Sequence, residues 1–137
     1  MFTIDRVSAQ EAKQLIDFAV SEAEKLNRGI AIAVTGTEGE LIAFLRMDGA
    51  NAASSLISQN KAYTAARDTK DTQVMGKYMR DTNTPPAFWG DLHITGFGGG
   101  VAIVNNNKVI GGIGVSGLSQ EEDIRIAKAA IAIVFAA

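Results

Sequence analysis

The sequence predicts an α+β domain, an antiparallel sheet with helices packed on it. Three observations carry that expectation. Two pairs of short apolar runs, at 30–47 and 101–115, are each broken by turn residues, as hairpins are. Apolar residues recur at helical spacing near both ends of the chain, each time behind a serine placed to cap a helix. The elements follow in the order helix, hairpin, helices, strands with a second hairpin, helix, with neither internal repeat nor linker. A length of 137 residues fits one domain, residues 1–137. Folding at this size buries roughly 68% of the surface of the unfolded chain, enough for a real core.

Each element has its own warrant. Ser8-Ala9-Gln10-Glu11 fits a capping box, and Ala12, Leu15, Ile16, Ala19, Ala23 and Leu26 then mark one helical face, with Gly29 a natural stop. Ile30–Thr35 is a short apolar strand, Gly36–Gly39 is turn chemistry, and Glu40–Met47 returns as its partner. The uninterrupted run Leu41–Leu45 predicts a central strand covered on both faces. Ser54 or Ser55 is placed to cap a helix running to about Asp68, and a shorter helix follows over about Thr72–Met79. Pro85-Pro86 forbids its continuation and marks a loop at 81–90, in which Phe88 and Trp89 are read as anchors. Leu92-His93-Ile94 is read as a short third strand. Ser119-Gln120-Glu121-Glu122 is a second capping box, opening a last helix through Ile124, Ala127, Ile131 and Val134.

The stretch 96–117 holds eight of the fourteen glycines. Two runs rich in β-branched residues, Val101–Val104 and Lys108–Val115, flank Asn105-Asn106-Asn107, and asparagine tolerates the positive φ of a tight hairpin turn. Glycines without side chains let a helix, a subunit or a ligand approach the backbone closely. Gly112–Gly117 also matches G-x-G-x-x-G, the dinucleotide fingerprint. That fingerprint needs a βαβ unit with an acidic residue about 20 positions on. Only twenty residues follow Gly117, enough for one helix and no second strand, so close helix-to-sheet packing is the preferred reading.

Composition narrows the function. A net charge of −2 argues against a nucleic-acid binder, which shows a basic face. Without cysteine there is no disulfide, thiolate metal site or cysteine nucleophile. The N-terminal run Met1–Ser8 has no signal-peptide core, and no apolar run approaches the ~20 residues of a membrane span. The expectation is a cytoplasmic protein with neither membrane nor nucleic-acid partner. The apolar C-terminus, Ala127–Ala137, is expected to pack in the core or against another subunit.

The segments Arg46-Met47-Asp48-Gly49-Ala50, Lys61-Ala62-Tyr63-Thr64-Ala65, Gly98-Gly99-Gly100-Val101 and Gly111–Gly117, with the acidic helix start Gln120–Asp123, resemble the GlcG/HbpS-like family of haem-binding or haem-degrading domains. That family includes the C-terminal domain of PduO-type proteins, and the likeness spans about Ile30–Ala130. It implies a profilin-like three-layer α/β/α domain around a five-stranded antiparallel sheet, assembled as a homo-oligomer, often an octamer. It also implies a ligand-binding or accessory role with haem or another tetrapyrrole as candidate ligand, linked to glycolate, diol or glycerol utilisation. Two departures stand out. The N-terminal histidine implicated in haem contact in some members is missing, because no histidine precedes His93, and Ala102 stands where a proline often follows the glycine run.

His93, the only histidine, is the candidate haem-iron or metal ligand, or a proton carrier; a structural role is its plainer reading. The four methionines, Tyr63 and Tyr78 could touch a porphyrin but read as core. Arg46 and Asp48 share a face if their strand continues to Asp48, and Lys61 could join them in a pocket for a carboxylate or propionate; a structural ion-pair cluster is the alternative. Gly99 and Gly100 are expected to border that ligand site or to be packing devices. Three functions stay open: an oligomeric ligand-binding accessory protein, a small-metabolite enzyme with His93 as acid–base and Lys61 or Arg46 holding a carboxylate, and a structural oligomer subunit.

Overall fold

The alternation of small and large side chains along the strands decides which helix covers which face. A computed structural model describes residues 1–136. Its elements are α1 (Ala9–Lys25), β1 (Ala31–Thr35), β2 (Leu41–Arg46), α2 (Ala52–Asp68), α3 (Thr72–Thr82), a 3-10 turn (Pro86–Trp89), β3 (Gly100–Asn105), β4 (Lys108–Ser116) and α4 (Gln120–Val134). The sheet is antiparallel, in the order β2-β1-β4-β3. Ile32, Val34, Val101, Ile103, Ile113 and Val115 form one face and pack with Leu15, Ile16, Ala19 of α1 and Ile126, Ala127, Ala130 of α4. Cross-strand partners share a face, so Ala31, Ala33 and Thr35 line up with Ser116, Gly114 and Gly112 on the other. Gly100 and Ala102 extend that face through their pairing with Gly114 and Gly112.

The small face takes α2 in close contact. A side chain at Gly112 would run into the Ala62 carbonyl, and one at Gly114 into the Ser58 carbonyl. Thr35 Oγ1 donates to the Ala62 carbonyl at 3.3 Å, a hydroxyl substituting for the missing ladder of large side chains. The G-x-G-x-x-G run is therefore a helix-packing surface. With α1 and α4 on one face and α2 on the other, the domain has three layers, α/β/α.

The local signals hold where chemistry is specific. Ser8 and Glu11 form the expected reciprocal capping box. Ser119 accepts from the Glu122 amide at 3.2 Å, but the second box is only half formed, because the Glu122 carboxylate pairs with Arg125. Asn106 and Asn107, at φ 51° and 62°, make the two-residue turn between β3 and β4. Ala102 gives its amide to Asp71 Oδ1 at 3.2 Å, a bond that a proline there could not donate.

Other expectations are corrected. The sheet has four strands among the described residues, not five. Leu92-His93-Ile94 is a turn: Asp91 Oδ1 accepts the His93 amide and Thr64 Oγ1 donates to the His93 carbonyl, so side chains take the groups that a strand partner would. β2 lies at the sheet edge, with Leu41 and Leu45 51% and 41% exposed; its unbroken apolar run signals an exposed patch and not double coverage. The first helix stops at Lys25, ahead of Gly29, because Asn27 adopts the left-handed conformation at φ 55°. α2 starts at Ala52, ahead of both serines, and Ser54 and Ser58 are buried against the sheet. Trp89 packs on the small cluster of Met75, Met79 and Ile94, but Phe88 points outward.

Candidate functional site

One stripe of α2 holds the loop that carries His93. Asn60, Tyr63, Thr64 and Arg67 recur at i, i+3, i+4 and i+7, on one side of the helix. The Tyr63 hydroxyl donates to Asp91 Oδ2 at 2.8 Å. Thr64 Oγ1 accepts from the Thr95 amide at 3.0 Å while donating to the His93 carbonyl. Arg67 lies 4.9 Å over the Tyr63 ring and donates to the Glu38 carbonyl. The segment 91–95 is thus pinned at both ends, without β-pairing.

The His93 ring is fixed from two sides. Asn60 Oδ1 lies 3.2 Å from Nδ1. The Tyr63 ring meets it edge-on, with centroids 5.2 Å apart. An amide oxygen accepts only, so a neutral imidazole carries its proton on Nδ1 and keeps the Nε2 lone pair for another partner. The ring borders a cavity of about 140 Å³, which Leu41, Leu56, Tyr63 and Gln59 also line. The backbone amide of His93 holds the Asp91 carboxyl below its ordinary value, helped by the Tyr63 hydroxyl. In return, the Asp91 bond raises the Tyr63 phenol, since a phenolate would face a carboxylate.

Lys61, on another side of α2, is almost wholly buried. Its ammonium donates to the Val115 carbonyl at 2.8 Å and to Asp123 Oδ2 at 3.3 Å. Asp123 Oδ1 accepts the Leu118 amide at 3.1 Å. Burial lowers the Lys61 pKa and raises that of Asp123. Gly99 and Gly100 make room for this pair. A side chain at Gly99, whose φ is +122°, would meet Lys61 Nζ at 2.8 Å, and one at Gly100 would meet the Lys61 carbonyl. Lys61 and Asp123 line a cavity of about 210 Å³ with Ile57, Phe97 and Gln120.

The structure therefore brings Lys61, Gly99 and Gly100 together and leaves the other candidates apart. β2 ends at Arg46, so Asp48 is not on a shared strand face. Arg46 gives both Nε and an Nη to the Ala50 carbonyl, tying down the turn after β2. Asp48 borders an outer pocket with Glu24 and Arg28, and Lys61 is committed to Asp123. The expected Arg46–Asp48–Lys61 pocket does not form. Asn60 and Asp91, which orient the His93 segment, were missed; the polar i, i+3, i+4, i+7 stripe on an otherwise small-residue helix was the signal available for Asn60.

Among the described residues no cluster of three His, Cys, Asp or Glu side chains could hold a bare metal ion. A single imidazole is nevertheless a sufficient protein ligand for haem iron. His93 supplies one, and its ring borders a cavity that apolar Leu41 and Leu56 also line, so the donor chemistry fits haem. A cavity of about 140 Å³ falls below the 300–1,000 Å³ of typical enclosed ligand sites, so the porphyrin would remain largely outside it.

A family model described as "Haem degrading protein HbpS-like" matches residues 7–132. Protein GlcG of Escherichia coli (strain K12) is 37% identical over 110 residues, covering 80% of this chain and 81% of that protein. The crystal structure of Klebsiella pneumoniae protein ORFY superposes with a TM-score of 0.92 at 26% identity, covering 100% of this chain and 96% of that one. A crystal structure of a PduOC:heme complex gives a TM-score of 0.86 at 29% identity, covering 93% and 94%.

Proposed function

The chain belongs to the HbpS-like haem-degrading protein family, and from that premise we propose that it binds haem or a related tetrapyrrole as an oligomeric accessory protein, with His93 as its iron ligand. The observation that carries this reading is the ring geometry of His93. Asn60 Oδ1 lies 3.2 Å from Nδ1, and the tautomer that donates to it leaves the Nε2 lone pair for iron. Haem bound there would supply a redox-active iron. The chain's own contribution is orientation and an apolar bed. Asn60 and Tyr63 fix the imidazole, and Leu41 and Leu56, both more than half exposed, offer surface to a macrocycle. Leu41 belongs to β2, an edge strand of the sheet, and an exposed apolar edge strand favours pairing with another copy. Self-assembly there would cover the part of a porphyrin that the small cavity leaves outside. The likeness to the PduOC:heme complex supports the ligand class.

The test is haemin titration of the purified protein. A saturable Soret band is expected, shifted or lost in His93→Ala and weakened in Asn60→Leu, which removes the orienting oxygen. An unchanged spectrum in His93→Ala removes His93 from the site. Absence of any saturable band overturns the haem reading.

A further inference from the structure

Behind α3 lies a cavity that the His93 site does not use. It has a volume of about 320 Å³, and Met79, Ile94, Pro86 and Phe97 form its apolar walls, with Arg80 and Thr95 as polar neighbours. That volume lies within the range of small-ligand sites, and a mainly apolar lining with a few polar groups is their usual composition.

The floor is rigid. A side chain at Gly76 would collide with the Gly96 carbonyl, and one at Gly96 would lie 2.8 Å from the Gly76 Cα and 3.1 Å from Met79 Sδ. The α3 backbone and the 94–98 segment therefore touch, and nothing larger than glycine fits at the crossing. Thr64 Oγ1 holds the Thr95 amide, and Gln120 Oε1 holds the Gly98 amide at 2.9 Å, so both ends of the segment are fixed. The cavity is thus a built feature of the fold.

Its polar groups have one sense. The Arg80 guanidinium makes no hydrogen bond or ion pair among the described residues, whereas the neighbouring Lys77 and Asp81 pair with each other. Thr95 Oγ1 already accepts the Phe97 amide at 3.2 Å, which leaves its O–H to donate. A guanidinium fork and a hydroxyl donor beside an apolar wall suit a planar anion on an apolar body. Aspartate and glutamate are absent from the cavity lining, so no carboxylate there opposes it.

We infer that this cavity binds a small amphipathic monocarboxylate, its apolar part against Met79, Ile94 and Phe97 and its carboxylate on Arg80. The site is separate from that of His93, with which it shares no lining residue. The proposal therefore stands whether or not His93 binds haem.

Haem-free protein is titrated with hexanoate and with hexanol, followed by calorimetry and by the ligand's NMR signals. Hexanoate is expected to bind saturably, about ten-fold or more tighter than hexanol, as a hydrogen bond to a charged group requires. Arg80→Gln should remove that preference and leave hexanol binding unchanged. Phe97→Ala, a change at a 63% exposed side chain, should weaken both ligands together. His93→Ala should leave both isotherms as they are. The inference is overturned if hexanoate shows no saturable binding, if Arg80→Gln retains the preference, or if His93→Ala abolishes binding. It is also overturned if haemin displaces hexanoate and Arg80→Gln weakens haemin equally, because the cavity would then be part of the haem site.

Discussion

Replacing Lys61 with methionine tests what the buried ion pair does. The change keeps an unbranched stem in the space beside Gly99 but removes the ammonium. Two bonds disappear, to the Val115 carbonyl at 2.8 Å and to Asp123 at 3.3 Å. Asp123, whose side chain is 4% exposed, would keep only the Leu118 amide as a partner. Removing one member of a buried pair typically costs about 3–5 kcal/mol, because the remaining charge has neither water nor counter-ion. Against a total stability of roughly 5–15 kcal/mol, that is a melting-temperature loss on the order of 10 °C. Lys61→Met/Asp123→Asn removes the stranded charge while leaving an oxygen for Leu118, and should recover most of the loss. The pH dependence has a definite sign. Burial already raises the folded Asp123 pKa above its ordinary 3.8, and loss of the opposing Lys61 charge raises it further. A folded state with the higher pKa binds the proton more tightly, so stability attributable to this group falls as pH rises from 3.8 through the folded value. The Lys61→Met penalty should therefore be greatest at neutral pH and shrink on acidification. Urea melts of the wild type, single and double variants between pH 4 and pH 8 measure it. A neutral-pH penalty under about 1 kcal/mol, or one independent of pH, would refute the account of a dehydrated carboxylate dependent on Lys61.

Two further outcomes follow from packing. Gly100→Val must push against the Lys61 carbonyl and Thr72 Cγ2, so thermal melting should show a loss of about 1–3 kcal/mol or more, whereas Lys13→Ala on the outer face of α1 should stay within about ±0.5. Glu22 would be a poor control, since it pairs with Arg125 at 3.0 Å and ties α1 to α4; equal effects of Gly100→Val and Lys13→Ala would sink the packing argument. The exposed edge of β2 leads us to expect a homo-oligomer larger than a dimer by light scattering, and Leu45→Lys should dissociate it; a stable wild-type monomer at micromolar concentration would contradict this.

The parts of the fold that were legible in the sequence are those set by local chemistry. The Ser8 box, the Asn106-Asn107 turn and the two hairpins are specified within a few residues of one another. β2 misled because an apolar run reports contact with something other than water. It cannot say whether that contact is a helix on each face or another copy of the chain. The 92–94 segment misled for a related reason. Its backbone bonds go to Asp91 and Thr64, and the Thr64 bond joins residues about thirty positions apart.

The same long reach explains why the candidate site was only partly readable. His93 was visible as a residue type, but its usable tautomer depends on Asn60, 33 positions earlier. Lys61 was visible as a charge, but its commitment to Asp123 spans 62 positions, and it removes Lys61 from any pocket with Arg46. Both dependencies converge on α2. Apart from Lys61, its buried side is reduced to Ser, Ala and Thr so that it can sit on Gly112 and Gly114, and this closeness positions its polar residues. Asn60 reaches the 91–98 segment on one side, and Lys61 reaches β4 and α4 on another. The glycine-rich strand and the polar stripe are therefore one device. A side chain at Gly114 would lift α2 from the sheet and would displace both Asn60 from His93 and Lys61 from Asp123.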